Sequence, residues 1–405
     1  MRVLHVVPSF YPSWAYGGIP RCAYELCREL VRLNVEVHVW TTDVDDAEHR
    51  LSERNAVVDG IAIHRFANLS NWLAYHRQLY LPLGLWRQAR RHVRQFDLVH
   101  LHSHRHLLQP LVATPARRAA VPYVFTGHGT VPVIERYAPA KQLADALGAR
   151  AFLQRAAACI AVAGAERKHY LAAGVDGSRI AVIPNGLRLD EFVDLPAPGR
   201  FRQQYQLGAG PLVLFVGKIT PRKGVDVLLR ALANLPQDVR LAVAGNFMMP
   251  AQPIYRLAHD LGVGDRTHFV GLLGGRDKVA AYVDADVVAY PAVDEIFGLV
   301  PFEALMCGTP AVVCDDSGCG EWVRAARGGL LVPYGAPDAL AAALRRLLDD
   351  APLRRECVTN GRCYVEQHLG WEHIAAETLA LYRRVLGLDR TAAIDTAPPR
   401  DELPR

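Results

Sequence analysis

A chain of 405 residues, 51% hydrophobic and 21% charged, has an ordinary soluble composition with core enough for two or three domains. No run of eighteen apolar residues occurs and its eight cysteines form no C-x-x-C pair, so no membrane-spanning helix is expected and the thiols read as reduced and mostly buried in a cytosolic protein. The net charge of +5 is uneven: residues 1–190 carry 23 Lys+Arg against 15 Asp+Glu, and the remainder 23 against 26. A basic first half suits an anionic partner, such as a nucleotide, a lipid head group or a membrane surface. Nucleic acid is not expected, because no helix-turn-helix, zinc-finger or aromatic RNA-binding signature occurs.

Apolar runs of strand length alternate with amphipathic helical patterns along the chain. That alternation predicts an α/β class, with parallel sheets covered by helices on both faces. The first run, 3–7, ends at Pro8 without a small-residue cleavage site and reads as a strand, not a signal peptide. A loop over 9–19 carries Gly17 and Gly18 before a helix over 20–33 and a strand over 35–41. Ligands sit at such strand-to-helix loops in parallel sheets, although a glycine pair alone is also an ordinary turn. Asp43-Val44-Asp45 and Asp284-Ala285-Asp286 have the look of a two-residue metal motif, but read as a solvated loop and a helix-to-strand junction.

The segment 72–96 interleaves Trp72, Tyr75, Tyr80, Leu83 and Trp86 with Arg77, Arg87, Arg90, Arg91 and Arg94. It fits either a surface that lies on an anionic membrane or a helix packed on the sheet with a solvated basic face. Histidines 100, 102, 104 and 106 would share one face if extended. A flat row cannot wrap one ion, so no metal site is expected. A strand over 123–125 runs into Thr126-Gly127-His128-Gly129-Thr130, where flanking glycines would leave His128 exposed at the sheet's carboxyl edge. Pro184-Asn185-Gly186 closes a first domain over 1–190, and the breakers of 194–199 mark a linker over 191–210.

A second domain over 211–370 begins with a buried strand at 212–216. Lys218, Arg222 and Lys223 surround the next strand-to-helix loop, an arrangement that suits a diphosphate. Strands at 241–244 and 267–270 follow, the latter leading into Gly271-Leu272-Leu273. In the stretch 291–321, seven residues separate Glu295 from Glu303. Pro301 suits a first helical position, which places Glu295 on the loop and Glu303 in the first helical turn. Gly298, between Phe297 and Leu299, allows close approach of a ligand to the backbone. One carboxylate would meet sugar-like hydroxyls, a second would lie deeper, and the helix-start amides would meet phosphate; the bland alternative is a solvated helix start. Residues 389–405 lack periodicity and are expected to be disordered.

Together with Tyr16-Gly17-Gly18, 127–130, Ile183-Pro184-Asn185-Gly186, Gly217-Lys218 and Lys223-Gly224, the Glu-x7-Glu stretch resembles the retaining glycosyltransferases of family 4, over residues 1–387. The resemblance implies the GT-B fold: two Rossmann-like domains facing each other across a cleft, with the last helix, 371–388, crossing back to the first. It also implies metal-independent transfer from a nucleotide-diphosphate sugar without a cofactor. The acceptor would be a glycan or a lipid-linked carrier in cell-surface polysaccharide or lipopolysaccharide assembly, at the cytoplasmic face of the membrane. By the same resemblance His128 and Glu295 meet the transferred sugar, Glu303 the ribose, and Lys218 and Lys223 the diphosphate. Gly17, Gly18, Asn185, Leu272, Phe297, Gly298 and Leu299 complete the donor site. The family usually has arginine where Lys218 stands; lysine keeps the charge and loses the bidentate fork. A sugar-nucleotide epimerase or a phosphorylase would need an acid–base pair or a pyridoxal lysine, and neither pattern is evident. Intact Lys223, Glu295 and Glu303 argue against a non-catalytic sugar-nucleotide-binding module.

Overall fold

In the computed structural model residues 1–133 and 138–389 are described, and they separate into two units. Apart from Asp389, the tail expected to be disordered lies outside the described residues.

The first unit contains Met1–Gly186 and the helix Trp371–Val385. Its strands are β1 (Arg2–Val6), β2 (Glu36–Thr42), β3 (Asn55–Val58), β4 (Ile61–Phe66), β5 (Leu98–His102), β6 (Tyr123–Thr126), β7 (Ala158–Ala161) and β8 (Ile180–Val182). They form one sheet in the order β3-β4-β2-β1-β5-β6-β7-β8. Among the described residues every neighbouring pair in it is parallel except β3 with β4. That hairpin, absent from the sequence reading, turns at Asp59 and Gly60, both in the left-handed region with φ of 48° and 79°. Asp-Gly supplies such a turn cheaply.

Apolar side chains fill both faces of the sheet, as parallel strands require. On one side Leu85, Ala89, Val112 and Ala116 cover Leu4, Val99 and Tyr123. On the other, helices Gly18–Arg32 and Trp371–Val385 cover Val3, Leu98 and Val124. The final helix is anchored in the first unit by Tyr382, fully buried, whose hydroxyl lies 2.6 Å from His100 Nδ1. Gly186 passes so close beneath Trp371 that a Cβ there would sit 2.5 Å from the indole.

The second unit, Leu187–Gly370, holds β9 (Leu212–Val216), β10 (Arg240–Ala244), β11 (Thr267–Gly271), β12 (Val287–Tyr290), β13 (Ala311–Cys314) and β14 (Gly329–Val332). Its sheet is parallel in the order β11-β10-β9-β12-β13-β14.

Three details depart from the sequence reading. The stretch 191–210 is folded onto the second unit: it carries the helix Arg200–Gln204, buries Phe201 and Leu207, and ties Arg202 to the Asp284 carbonyl and the Asp286 carboxylate. Asp284 accepts the Gly199 and Arg202 amides at 2.5 and 2.9 Å, so this Asp-x-Asp pair is consumed by structure. The segment 72–96 is two helices, Asn71–Arg77 and Leu85–His92, broken by Gln78 and Gly84 at φ of 53° and 84°. The helix carrying Glu303 spans Leu299–Met306, so Pro301 is its third residue and Glu303 lies beyond its first turn. No described helix is long and apolar enough to cross a membrane. The cysteines are unpaired and all but Cys363 are buried.

The Tyr382 anchor separates two contributions to stability. Tyr382→Ala removes a fully buried ring and is expected to cost about 3–5 kcal/mol. Tyr382→Phe keeps the ring, strands His100 Nδ1, and is expected to cost about 1–3 kcal/mol. Urea denaturation of both variants checks the order; equal losses would mean that the hydrogen bond, not the ring, holds the helix.

Candidate functional site

In the second unit the chain proceeds from β9 outward to β10 on one side and reaches β12 on the other. The crevice beyond the carboxyl ends of these two strands is where an open parallel sheet binds ligands. Lys223 follows β9, Tyr290 ends β12 and Glu295 lies in the loop after it. The Lys223 ammonium donates to the Tyr290 hydroxyl at 2.5 Å and to Glu295 Oε2, and stands 4.8 Å from the centre of the tyrosine ring. The Tyr290 hydroxyl donates in turn to Glu295 Oε2 at 3.2 Å. Burial, reinforced by the Glu295 charge, pushes the Tyr290 phenol well above its usual range and keeps it a neutral donor.

The loop that carries Glu295 is fixed through its backbone. Arg222 donates to the carbonyls of Val293 and Asp294 at 3.2 and 2.7 Å. It braces the loop that carries Glu295. The Glu295 carbonyl accepts the Ser317 hydroxyl and the Cys319 amide, each at 2.9 Å. Gly298 has φ of 69°, and a Cβ there would meet Cys319 Sγ, Glu295 Cγ and Tyr290 Cε1 at 3.0–3.1 Å. Only glycine lets this loop close so tightly over Tyr290. Phe297 is buried against Phe302 and Trp322 and forms the wall behind the loop. Leu299 is half-buried, and Lys218 and Leu272 are exposed.

Glu303 is held by partners that the sequence reading missed. Lys278 Nζ donates to one oxygen and the Tyr282 hydroxyl to the other, both at 2.7 Å. The two donors lie four residues apart on helix Gly275–Asp284, the spacing that aligns side chains on one helical face. Each carboxylate of the pair therefore has its own lysine and its own tyrosine.

In the first unit, the loop after β6 is clamped from several sides. The Gly127 amide donates to the Tyr170 hydroxyl at 2.7 Å, and the Gly129 amide to Glu166 at 2.5 Å. Burial pushes the Glu166 carboxyl up to about 7 against those amide hydrogen bonds. This clamp holds His128 at φ of 53°. His128 is not exposed, as its flanking glycines had suggested: it is partly buried, with Nε2 3.1 Å from His102 Nδ1. His102 Nε2 is in turn 3.1 Å from His5 Nδ1.

Nor do the four histidines form one row. β5 ends at His102; Ser103 and Arg105, at φ of 67° and 65°, turn the chain, and send His104 beside Asp145 and His106 against Tyr80. The nitrogens of His5, His100 and His102 all lie within 4.8 Å of one another, a set that could hold a metal ion. His100, however, already has Tyr382 on one nitrogen and Thr126 Oγ1 on the other, at 2.6 and 2.7 Å. His102, Thr126, His128, Asn185 and Trp371 line a cavity of about 20 Å3. Gly17, with φ of 106°, caps helix Gly18–Arg32, and a Cβ on Gly18 would meet open space.

The two units match two sequence profiles, residues 16–191 that of Glycosyltransferase Family 4 and residues 200–363 that of Glycosyl transferases group 1. The chain is 32% identical to the D-inositol 3-phosphate glycosyltransferase of Kineococcus radiotolerans, over 96% of this chain and 95% of that one. It is 31% identical to the enzyme of the same name in Frankia alni, over 95% and 98%. In structure it is similar to Anabaena HepE solved with UDP, with a TM-score of 0.75 at 23% identity over 94% of this chain and 100% of the other. WaaG, a glycosyltransferase involved in lipopolysaccharide biosynthesis, matches with a TM-score of 0.64 at 18% identity, over 96% of this chain and 100% of that one. The chain belongs to the family 4 glycosyltransferases and has the GT-B fold.

Proposed function

We propose that the protein is a retaining, metal-independent glycosyltransferase that uses a nucleotide-diphosphate sugar as donor. The observation that carries this reading is the Lys223–Tyr290–Glu295 constellation at the carboxyl ends of β9 and β12. An ammonium held there by a carboxylate can turn to a diphosphate, whose charge grows as the leaving group departs. Lys218, exposed on the loop between β9 and Lys223, adds a second cation. Glu295 then faces the sugar and Glu303, fixed by Lys278 and Tyr282, the ribose, with the base against the loop at Leu272. The family resemblance adds His128 at the transferred sugar and Asn185 to the donor-binding residues. The departing diphosphate takes the acceptor proton on the face from which it leaves, and the protein stabilises charge throughout.

The two glutamates should fail differently. Ribose contacts are nearly equal in ground and transition states, so Glu303→Ala mainly raises the donor KM. The sugar gains positive charge as the bond breaks, so Glu295→Gln mainly lowers kcat. Lys223→Ala is expected to lose about 10²–10³ in rate. Calorimetry with the nucleoside diphosphate alone, over a panel of bases, should show weak binding to Glu303→Ala and undiminished binding to Glu295→Gln. The reverse order would mean that the roles are exchanged.

Metal independence rests on the geometry of the alternatives. Asp43 accepts the Asn68 amide at 2.8 Å and pairs with Arg50, and Asp284 and Asp286 hold the 199–212 stretch. Turnover should survive EDTA; loss on chelation, restored by one divalent ion, would overturn this part of the reading.

For the acceptor, we favour a lipid-linked glycan met at the inner face of the cell membrane. Leu69, Trp72, Leu79 and Leu83 are 61, 55, 41 and 55% exposed beside the exposed Arg87, Arg90, Arg91 and Arg94. The helix Leu85–His92 itself packs inward through Leu85 and Ala89, so the apolar contact falls to 69–83 and the charge to the helix. Such a pairing of apolar and basic surface suits an anionic bilayer. Trp72→Ala with Arg90→Glu and Arg91→Glu should weaken sedimentation with anionic liposomes; unchanged sedimentation would remove the membrane from the proposal. The names of the 32 and 31% identical relatives favour a second reading, a phosphorylated inositol acceptor, which an acceptor panel separates from the first.

A further inference from the structure

His5 on β1, His102 at the end of β5 and His128 after β6 come from three neighbouring elements of the first sheet. Their rings stack in line, with centroids 5.3 and 5.4 Å apart and planes tilted by 22° and 12°. Two nitrogen–nitrogen contacts join them: His5 Nδ1 to His102 Nε2, and His102 Nδ1 to His128 Nε2, each 3.1 Å. Each contact needs one proton and one lone pair. Burial favours the neutral form of all three, with His5 lowered to about 3, His128 to about 4 and His102 well below the usual range.

A neutral imidazole carries one ring proton. If His5 carries it on Nδ1, His102 must accept at Nε2, carry its own on Nδ1, and leave His128 protonated at Nδ1. If His5 carries it on Nε2, the same logic places every proton on Nε2. The chain therefore has two arrangements, all Nδ1–H or all Nε2–H, and a choice at one end fixes the other.

The ends decide between them. His5 Nε2 is buried without a hydrogen-bond partner among the described residues, whereas His128 meets the Asn185 side chain, whose hydrogen bond favours a protonated ring nitrogen. In the all-Nε2 arrangement His5 would bury an N–H with no acceptor, since its neighbour His100 is already engaged by Tyr382 and Thr126. An orphaned donor is the rarer and costlier defect; a bare lone pair is better tolerated. In the all-Nδ1 arrangement the N–H at the end of the chain is that of His128, which has the Asn185 side chain beside it on the wall of the cavity.

We infer that His5 and His102 are positioning residues that fix His128 as an Nδ1–H donor toward a substrate oxygen. Its bearing on catalysis rests on the reading above, in which His128 meets the transferred sugar; the tautomer itself does not. The test is nitrogen-15 NMR of the ligand-free full chain with labelled histidine, where long-range proton couplings identify the protonated nitrogen of each ring. Wild type should show Nδ1–H on all three rings, and His5→Phe should shift the His128 nitrogens as the Nε2–H form appears. His5→Phe should also lower kcat about tenfold with little change in donor KM. His5→Asn, whose amide can donate in place of Nδ1–H, should restore most of that loss. An Nε2–H His128 in wild type overturns the inference, even if no variant folds, as do His128 signals indifferent to His5→Phe. If instead His128→Ala turns over normally, the role of His128 fails and the spectra still decide the tautomer.

Discussion

Strands β5, β6, β7, β9, β12 and β13 are buried along their whole length. A sheet covered on both faces leaves polar groups two places: the strand ends, or the interior with every hydrogen bond accounted for. Both solutions appear here. Lys223, Glu295 and the 126–130 loop take the ends. His100 and His102 stay inside, where Tyr382, Thr126, His5 and His128 occupy their nitrogens, and His5 beside them leaves Nε2 alone without a partner among the described residues. The chemistry of this fold lies at the edge of its core because the core permits it nowhere else.

Within the second unit, charge is stored as pairs. Lys223 with Glu295 and Lys278 with Glu303 each pair a cation with a carboxylate beside a buried tyrosine. Such a pair sets opposite charges together where both are partly withdrawn from water. The cost of organising them is met on folding, so both cations are already in place. Held from behind by Arg222, Ser317 and Cys319, the Glu295 loop has little freedom to follow a ligand.

The alternation of apolar runs and helical patterns made the two parallel sheets legible, and spacing alone flagged Glu295 and Glu303. What escaped was of two kinds. Asp59-Gly60 is an ordinary hairpin signal, but the run NAVV before it is too short to stand out as a strand. Lys278, Tyr282 and Tyr290 carry no motif; they matter because the fold sets them against carboxylates 5–25 residues away. The histidines misled for a related reason. A row of alternating residues shares a face only while the strand lasts, and nothing in HSHRH announces that Ser103 and Arg105 adopt left-handed backbone. His5 lies nearly a hundred residues from His102, and no local pattern joins the two.

The last helix belongs to the first unit, and its Tyr382 meets His100 across 282 residues of chain. That separation sets an order of events during synthesis. When β8 leaves the ribosome, one face of the first sheet still lacks its cover, and Val3, Leu98 and Val124 remain partly open. The whole second unit, continuous from Leu187 to Gly370, emerges and can fold before the missing helix arrives. The unit that begins the chain is thus the last to be completed, and any truncation before Tyr382 leaves it unfinished however far translation has gone.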